Sequence, residues 1–220
     1  MDPAGRFAEL ITRPAAEAHL DLLAALIGAS FEPKTDVGKV IVALDLLAEH
    51  CAPTFDSILD ELFASGRLRG NTADYGDPRN SYLHQVLGRG LGIPITLSVC
   101  AIEVGRRLHV PVRGIGLPGH FMVECEGVVA DPFRGGVRYT EHEVEAAWQA
   151  NTGLTAPLDR RALQPVGSRH ILLRMLNNLR NTFVAMDDPR HLATLARLRS
   201  AFPELAHEKA EYARWLRHWN

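Results

Sequence analysis

Apolar residues recur every three or four positions through the first third of the chain. Leu20, Leu23 and Ile27, with Leu22 and Leu26 alongside, make one stripe, and Val37, Val40, Ile41, Leu44 and Leu47 make a second. Ile58, Leu59, Leu62 and Phe63 make a third, behind the N-cap residue Thr54. This spacing predicts three helices, and a single apolar face on each predicts that they pack together. The stretch 65–80, SGRLRGNTADYGDPRN, is rich in Gly, Asn, Asp and Pro and reads as a long loop. Asn80 is placed to cap a short helix over SYLHQVLGR, which Gly90, Gly92 and Pro94 interrupt. Pro94 suits the first position of the next helix, over about 95–108, where a missing N–H costs nothing.

After Pro111 the period drops from 3.6 to two. VRGIGL, HFMVEC and VVADPF predict three short strands over 112–117, 120–125 and 128–131, turning at Pro118-Gly119 and at Glu126-Gly127. Thr140 and Glu143 have capping-box spacing for a helix ending near Trp148. Beyond the loop NTGLTAPLD, Leu172, Met175, Leu176, Leu179 and Phe183 form one helical stripe and Leu192, Leu195 and Leu198 another, with Tyr212, Trp215 and Leu216 near the end. The Asp187-Asp188-Pro189 turn between 168–186 and 190–201 predicts an antiparallel hairpin, similar to a tetratricopeptide-like unit. The whole pattern predicts an α+β protein: helical N-terminal part and mixed core over 1–160, helical tail over 161–220.

Composition narrows the function classes. Hydrophobic residues are 46% and charged residues 23% of 220, an ordinary globular balance that argues against a disordered chain. Lys+Arg 24 against Asp+Glu 26 leaves a net charge of -2, without the basic surplus that nucleic acid recruits. No apolar run reaches the roughly 18 residues of a membrane span. The opening MDPAGRFAEL lacks a signal-peptide pattern, and Cys51, Cys100 and Cys125 show no CxxC spacing, which together predict a cytoplasmic protein. Ten histidines include no HxxxH or HxH pair with a nearby acid, so no metal or other cofactor is expected. GRGLG lacks the preceding strand and the lysine of a phosphate loop. Arg106, Arg107 and Arg113 read as a solvated face, and Cys51 and Cys125 as packing residues.

One order of elements carries chemistry. A helix begins at GIP, His120 follows at the start of a strand, and Asp131 ends the next one. That order resembles a papain-like core, in which a nucleophile at a helix N-terminus meets a histidine and an acid. The helix terminus lowers a thiol pKa and supplies N–H groups for an oxyanion. Antiparallel pairing brings His120 and Asp131 to the same sheet end, where the acid orients the imidazole.

The stretch RNSYLHQVLGRGLGIPITLSVCAIEVGRRLHVP, then GLPGHFMVE, ADPFRGG and RMLNNLRNTF, resembles the SirB-type transglutaminase-like family. The resemblance implies a papain/transglutaminase-like fold with a small antiparallel sheet, followed by a tetratricopeptide-like helical tail. It maps His120 onto the superfamily histidine and Asp131 onto its acid. The nucleophile position falls near Pro94, which has no thiol. Thr96, two residues on, and Cys100, one turn deeper on the same face, are the remaining nucleophile candidates. In the preceding loop, Asn71, Asp74, Tyr75, Asp77 and Asn80 form a polar cluster. Tyr75, Asp77 and Asn80 are candidates for a cleft rim, and Asp77 and Asn80 are equally candidates for turn caps. Two functions follow. One is a non-catalytic or vestigial member that binds a protein partner or ligand through its cleft or tail, with neither nucleic acid nor membrane as partner. The other is an amide-bond hydrolase or acyl transferase built on a nucleophile, His120 and Asp131.

Overall fold

A computed structural model describes residues 2–13 and 19–208; the stripe at Tyr212, Trp215 and Leu216 lies outside them. The centre is a buried helix. Helices α1 (Pro3–Ile11), α2 (Leu20–Phe31), α3 (Val37–Glu49), α4 (Phe55–Leu59) and α5 (Leu83–Arg89) lead to α6 (Pro94–Arg107), with Pro94 in its first turn as the sequence predicts. From Pro94 to Gly105 only Ile102 escapes full burial. A helix apolar on nearly every side must be covered all round, here by α3 and α4 on one side and the sheet on another.

The sheet has five antiparallel strands in the order β6–β5–β4–β3–β7: β3 (Arg113–Ile115), β4 (Met122–Cys125), β5 (Val128–Asp131), β6 (Val137–Tyr139) and β7 (Pro165–Val166). Alternation sends Val123, Cys125 and Ala130 into the core shared with α6, and Ile115, Met122 and Val129 into a smaller core. That smaller core is closed by Val144 and Trp148 of α7 (Glu141–Thr152). The chain then enters α8 (Ser168–Ala185) and α9 (Pro189–Arg199), an antiparallel pair in which Phe183 stacks on His191 at 4.9 Å. Their apolar faces join the core of the first helices: Phe31 lies 5.2 Å from Phe183, and Phe202, just after α9, lies 6.1 Å from Phe7.

The three expected strands are present, as are the Thr54 cap and the Thr140–Glu143 capping box. Other details differ. Strands β6 and β7 are too short to alternate visibly, and so is the parallel pair β1 (Arg69–Gly70) and β2 (Leu91–Gly92) inside the expected loop. Helix α1, capped by Asp2, was not expected, although its buried Ala4, Phe7 and Ile11 recur at helical spacing. The third predicted helix ends at Leu59 and continues as a π turn over Asp60–Ala64. Helix α7 passes Trp148 and stops at Gly153, whose left-handed conformation ends it. Asn80 does not cap α5; it lies in a 3-10 turn over Pro78–Ser81, and Tyr82 is the N-cap.

Candidate functional site

Strand register builds the centre of the site. Val123 lies opposite Ala130, so the end of β5 falls beside the entry to β4. His120 sits just before β4, after a turn in which its N–H donates to the Leu117 carbonyl at 3.2 Å. Gly119 makes that turn with φ +69, a conformation that a side chain would strain. His120 Nε2 lies 2.8 Å from Asp131 Oδ2.

Asp131 is fully buried and has four donors around it. Besides His120, Asn151 Nδ2 donates to Oδ2 at 3.2 Å, and the N–H groups of Phe133 and Arg134 donate to Oδ1 at 2.9 and 3.3 Å. An ionised carboxylate only accepts, so in this pair Nε2 carries the proton and donates it. In the neutral imidazole Nδ1 is then the lone pair, and among the described residues it has no hydrogen-bond partner. Trp148 Nε1 holds the Pro118 carbonyl at 2.7 Å, and Arg174 of α8 donates to the carbonyls of Leu117 and His120. The histidine turn is therefore fixed from both α7 and α8.

His120 lines two adjoining hollows of about 300 and 280 Å³, which together form a cleft. Both are lined by Tyr75, Pro94 and Gly119. Ile95, Phe121, Arg174, Asn177, Asn178 and Asn181 complete one; Thr72, Phe133, Arg134 and Asn151 complete the other. Gly70 lets the Phe133 wall close, because a Cβ there would stand 2.6 Å from the ring.

The structure therefore brings His120, Asp131 and Tyr75 together and leaves four candidates elsewhere. Thr96 and Cys100 are fully buried inside α6 and line neither hollow. The Thr96 hydroxyl has no hydrogen-bond partner among the described residues, and burial pushes the Cys100 thiol up to about 12. Both sit in the expected helix, but its tight packing turns them into the core. Asp77 and Asn80 hold the loop instead of rimming the cleft. Burial raises the Asp77 carboxyl, but hydrogen bonds from Arg79 and the nearby Arg89 charge leave it below its ordinary range. Asn80 donates to the Asp74 carbonyl at 2.8 Å and accepts from Asn71 at 3.0 Å. The polar cluster of the loop thus bonds to itself and presents Tyr75, whose ring meets Phe133 edge-on at 5.9 Å.

Asn151 and Arg174 were missed in the sequence. Asn151 stands 20 residues from the acid it touches, with no local pattern to mark it. Arg174 had a signal: Arg174, Asn177, Asn178 and Asn181 repeat at helical spacing opposite the apolar stripe. Three asparagines, poor helix formers, mark that face as more than solvated surface. Among the described residues no group of three or more His, Cys, Asp or Glu side chains is arranged to hold a metal. No helix among them is long and apolar enough to cross a membrane.

A helix opening on a cleft, with a histidine and an acid on consecutive antiparallel strands, is the layout of the transglutaminase-like core. The family model described as the transglutaminase-like superfamily matches residues 15–177, and the chain belongs to that superfamily. A UPF0162 protein of Xylella fastidiosa (strain Temecula1 / ATCC 700964) is 43% identical over 133 residues, covering 57% of this chain and 47% of the relative. A UPF0162 protein of Pseudomonas aeruginosa is 32% identical over 177 residues, covering 74% of this chain and 64% of the relative. F-box only protein 21 of Homo sapiens is 28% identical over 158 residues, 66% of this chain but 24% of that protein. The chain thus spans about half the length of the first of these relatives and much less of the last. No solved structure matches the chain.

Proposed function

We propose that this is a SirB-type, non-catalytic member of the superfamily that binds a peptide-like partner or ligand in the cleft beside His120. One observation carries the reading: Pro94 occupies the helix start that lines both hollows, where the layout calls for a nucleophile. Proline has no side-chain group able to attack a carbonyl, and Thr96 and Cys100 are sealed from the cleft. The test is incubation of the full chain with a panel of amide and ester substrates and acyl donors, read by mass spectrometry. The expected result is neither turnover nor an acyl adduct. Turnover abolished in His120→Ala would reject the reading.

A second reading, an amide-bond hydrolase or acyl transferase, draws on the assembled His120–Asp131 pair. Asp131 orders the imidazole so that a basic nitrogen is left over, as a general base requires. This reading needs a nucleophile that reaches His120 from outside α6, and the same panel decides between the two.

A further inference from the structure

Among the described residues Arg174 is a cation without an anion. Nη2 of its guanidinium donates to the carbonyls of Leu117 and His120, at 2.6 Å for the latter, and Cζ lies 5.5 Å from the centre of the Phe121 ring. Its other nitrogens have no hydrogen-bond partner among the described residues, and no carboxylate pairs with it. By contrast Arg106, Arg107, Arg113 and Arg199 each meet at least one carboxylate. Burial lowers the Arg174 pKa, and the nearby Tyr75 phenol, its own pKa raised by burial, is uncharged at neutral pH and gives no counter-charge. A half-buried cation left without a counter-charge is costly, so the wall of a cleft is where a ligand's anion would be received.

The rest of the cleft agrees. None of its lining residues is acidic, and Arg134 lies across the other hollow. Asn178 and Asn181 stand beside Arg174 on α8, and Asn151 stands beyond His120. Each amide side chain offers a donor and an acceptor, the pair a peptide bond needs. With Nη2 engaged by two carbonyls, Nε and Nη1 remain to make charge-assisted hydrogen bonds to a carboxylate. One cation in this hollow, with neutral amides around it, suits a carboxylate better than a phosphate, which draws several cations.

We propose that the cleft receives a peptide with a carboxylate seated on Arg174 and its backbone amides along the asparagines, passing Pro94. This rests on the reading of the cleft as a binding site. The carboxylate comes either from the peptide C-terminus or from an acidic side chain, and the test separates the two.

The full chain is mixed with three pools of N-acetylated random tetrapeptides, and the retained peptides are identified by mass spectrometry. One pool has free C-termini and no acidic side chain, one has amidated C-termini and a single Glu, and one is amidated without Glu. Retention of the first or second pool over the third is expected, and which of them it is names the source. Arg174→Gln should weaken that retention at least about ten-fold, the loss expected for a charge-assisted hydrogen bond. Should Arg174→Gln fail to fold, Asn178→Asp sets a competing carboxylate in the same hollow and should abolish retention. Equal retention of the neutral pool, or retention unchanged in these variants, overturns carboxylate recognition while leaving a binding cleft. Retention of no pool, or displacement by inorganic phosphate at lower concentration than by peptide, also overturns it. Cleavage of retained peptides, still dependent on Arg174, rejects the non-catalytic reading and keeps this one.

Discussion

Asp131 fixes His120 through a 2.8 Å contact while being held on its other oxygen by two backbone N–H groups. The acid therefore serves the fold and the site at once. Removing it strands four donors, two of them backbone groups of the turn that follows β5.

Asp131→Ala is expected to destabilise the protein by about 2–4 kcal/mol, the cost of several unpaired buried donors. Asp131→Asn keeps an acceptor for the turn and should cost less. Its amide must donate to Nε2, so the imidazole proton moves to Nδ1. Urea unfolding checks the first effect and nitrogen NMR of the ring the second. A loss below about 1 kcal/mol in the alanine variant would show that water replaces the carboxylate.

Cys100 is expected to resist iodoacetamide in the native state at neutral pH, because only the thiolate reacts and burial holds the thiol up to about 12. Labelling should appear with the unfolding transition when denaturant is added. Cys100→Ser should fold with a loss of roughly 1–3 kcal/mol from an unpaired hydroxyl. Rapid labelling in mildly acidic buffer, lost in His120→Ala, would make Cys100 a working nucleophile.

Pro94→Cys places a thiol at the helix start beside His120. The helix terminus and the imidazole both favour the thiolate there. This variant should be alkylated at pH 6–7 much faster than the native thiols, and His120→Ala should slow it again. Labelling no faster than that of Cys51 or Cys125 would mean that the cleft does not support a nucleophile.

The base of α6 gives a pH prediction. Asp21 and Glu103 are both buried, and both pair with Arg106 and Arg107 at 2.8–3.0 Å. Burial and the Asp21 charge raise the Glu103 pKa above its ordinary value. Burial also raises Asp21, but the Arg107 hydrogen bond and the neighbouring charges leave its pKa lowered. A raised carboxyl binds its proton first in the folded state, so stability rises as pH falls from neutral toward the unfolded value of 4.5. Stability carried by Asp21 and Asp77, whose pKa values are lowered, is present above 3.8 and is lost as pH falls through their folded values. The melting temperature should therefore peak on the acid side of neutral, and Glu103→Gln should remove the rising part. Arg107→Ala should cost about 3 kcal/mol at pH 7, because it strips a partner from two buried carboxylates. A melting temperature that only falls on acidification would contradict this account of Glu103.

The sequence by itself determined the elements whose signal is local. Pro94 at a helix start, the change of period at Pro111, the Glu126-Gly127 turn and the Thr140–Glu143 cap each depend on residues within a few positions of one another, and each is found. The His120–Asp131 pair was legible for the same reason: a hairpin of known turn fixes which residues meet. Tertiary structure alone decided the rest. Short strands such as β6 and β7 exist because a neighbouring strand offers hydrogen bonds, so they leave no pattern of their own. Whether Thr96 and Cys100 face the cleft or the core depends on what surrounds α6, and there the packing of α3, α4 and the sheet turned both inward. Arg174 reaches the histidine turn across 54 residues of chain, and Asn151 reaches Asp131 across 20. Such contacts are set by how layers stack, which a linear pattern of polar and apolar residues does not encode.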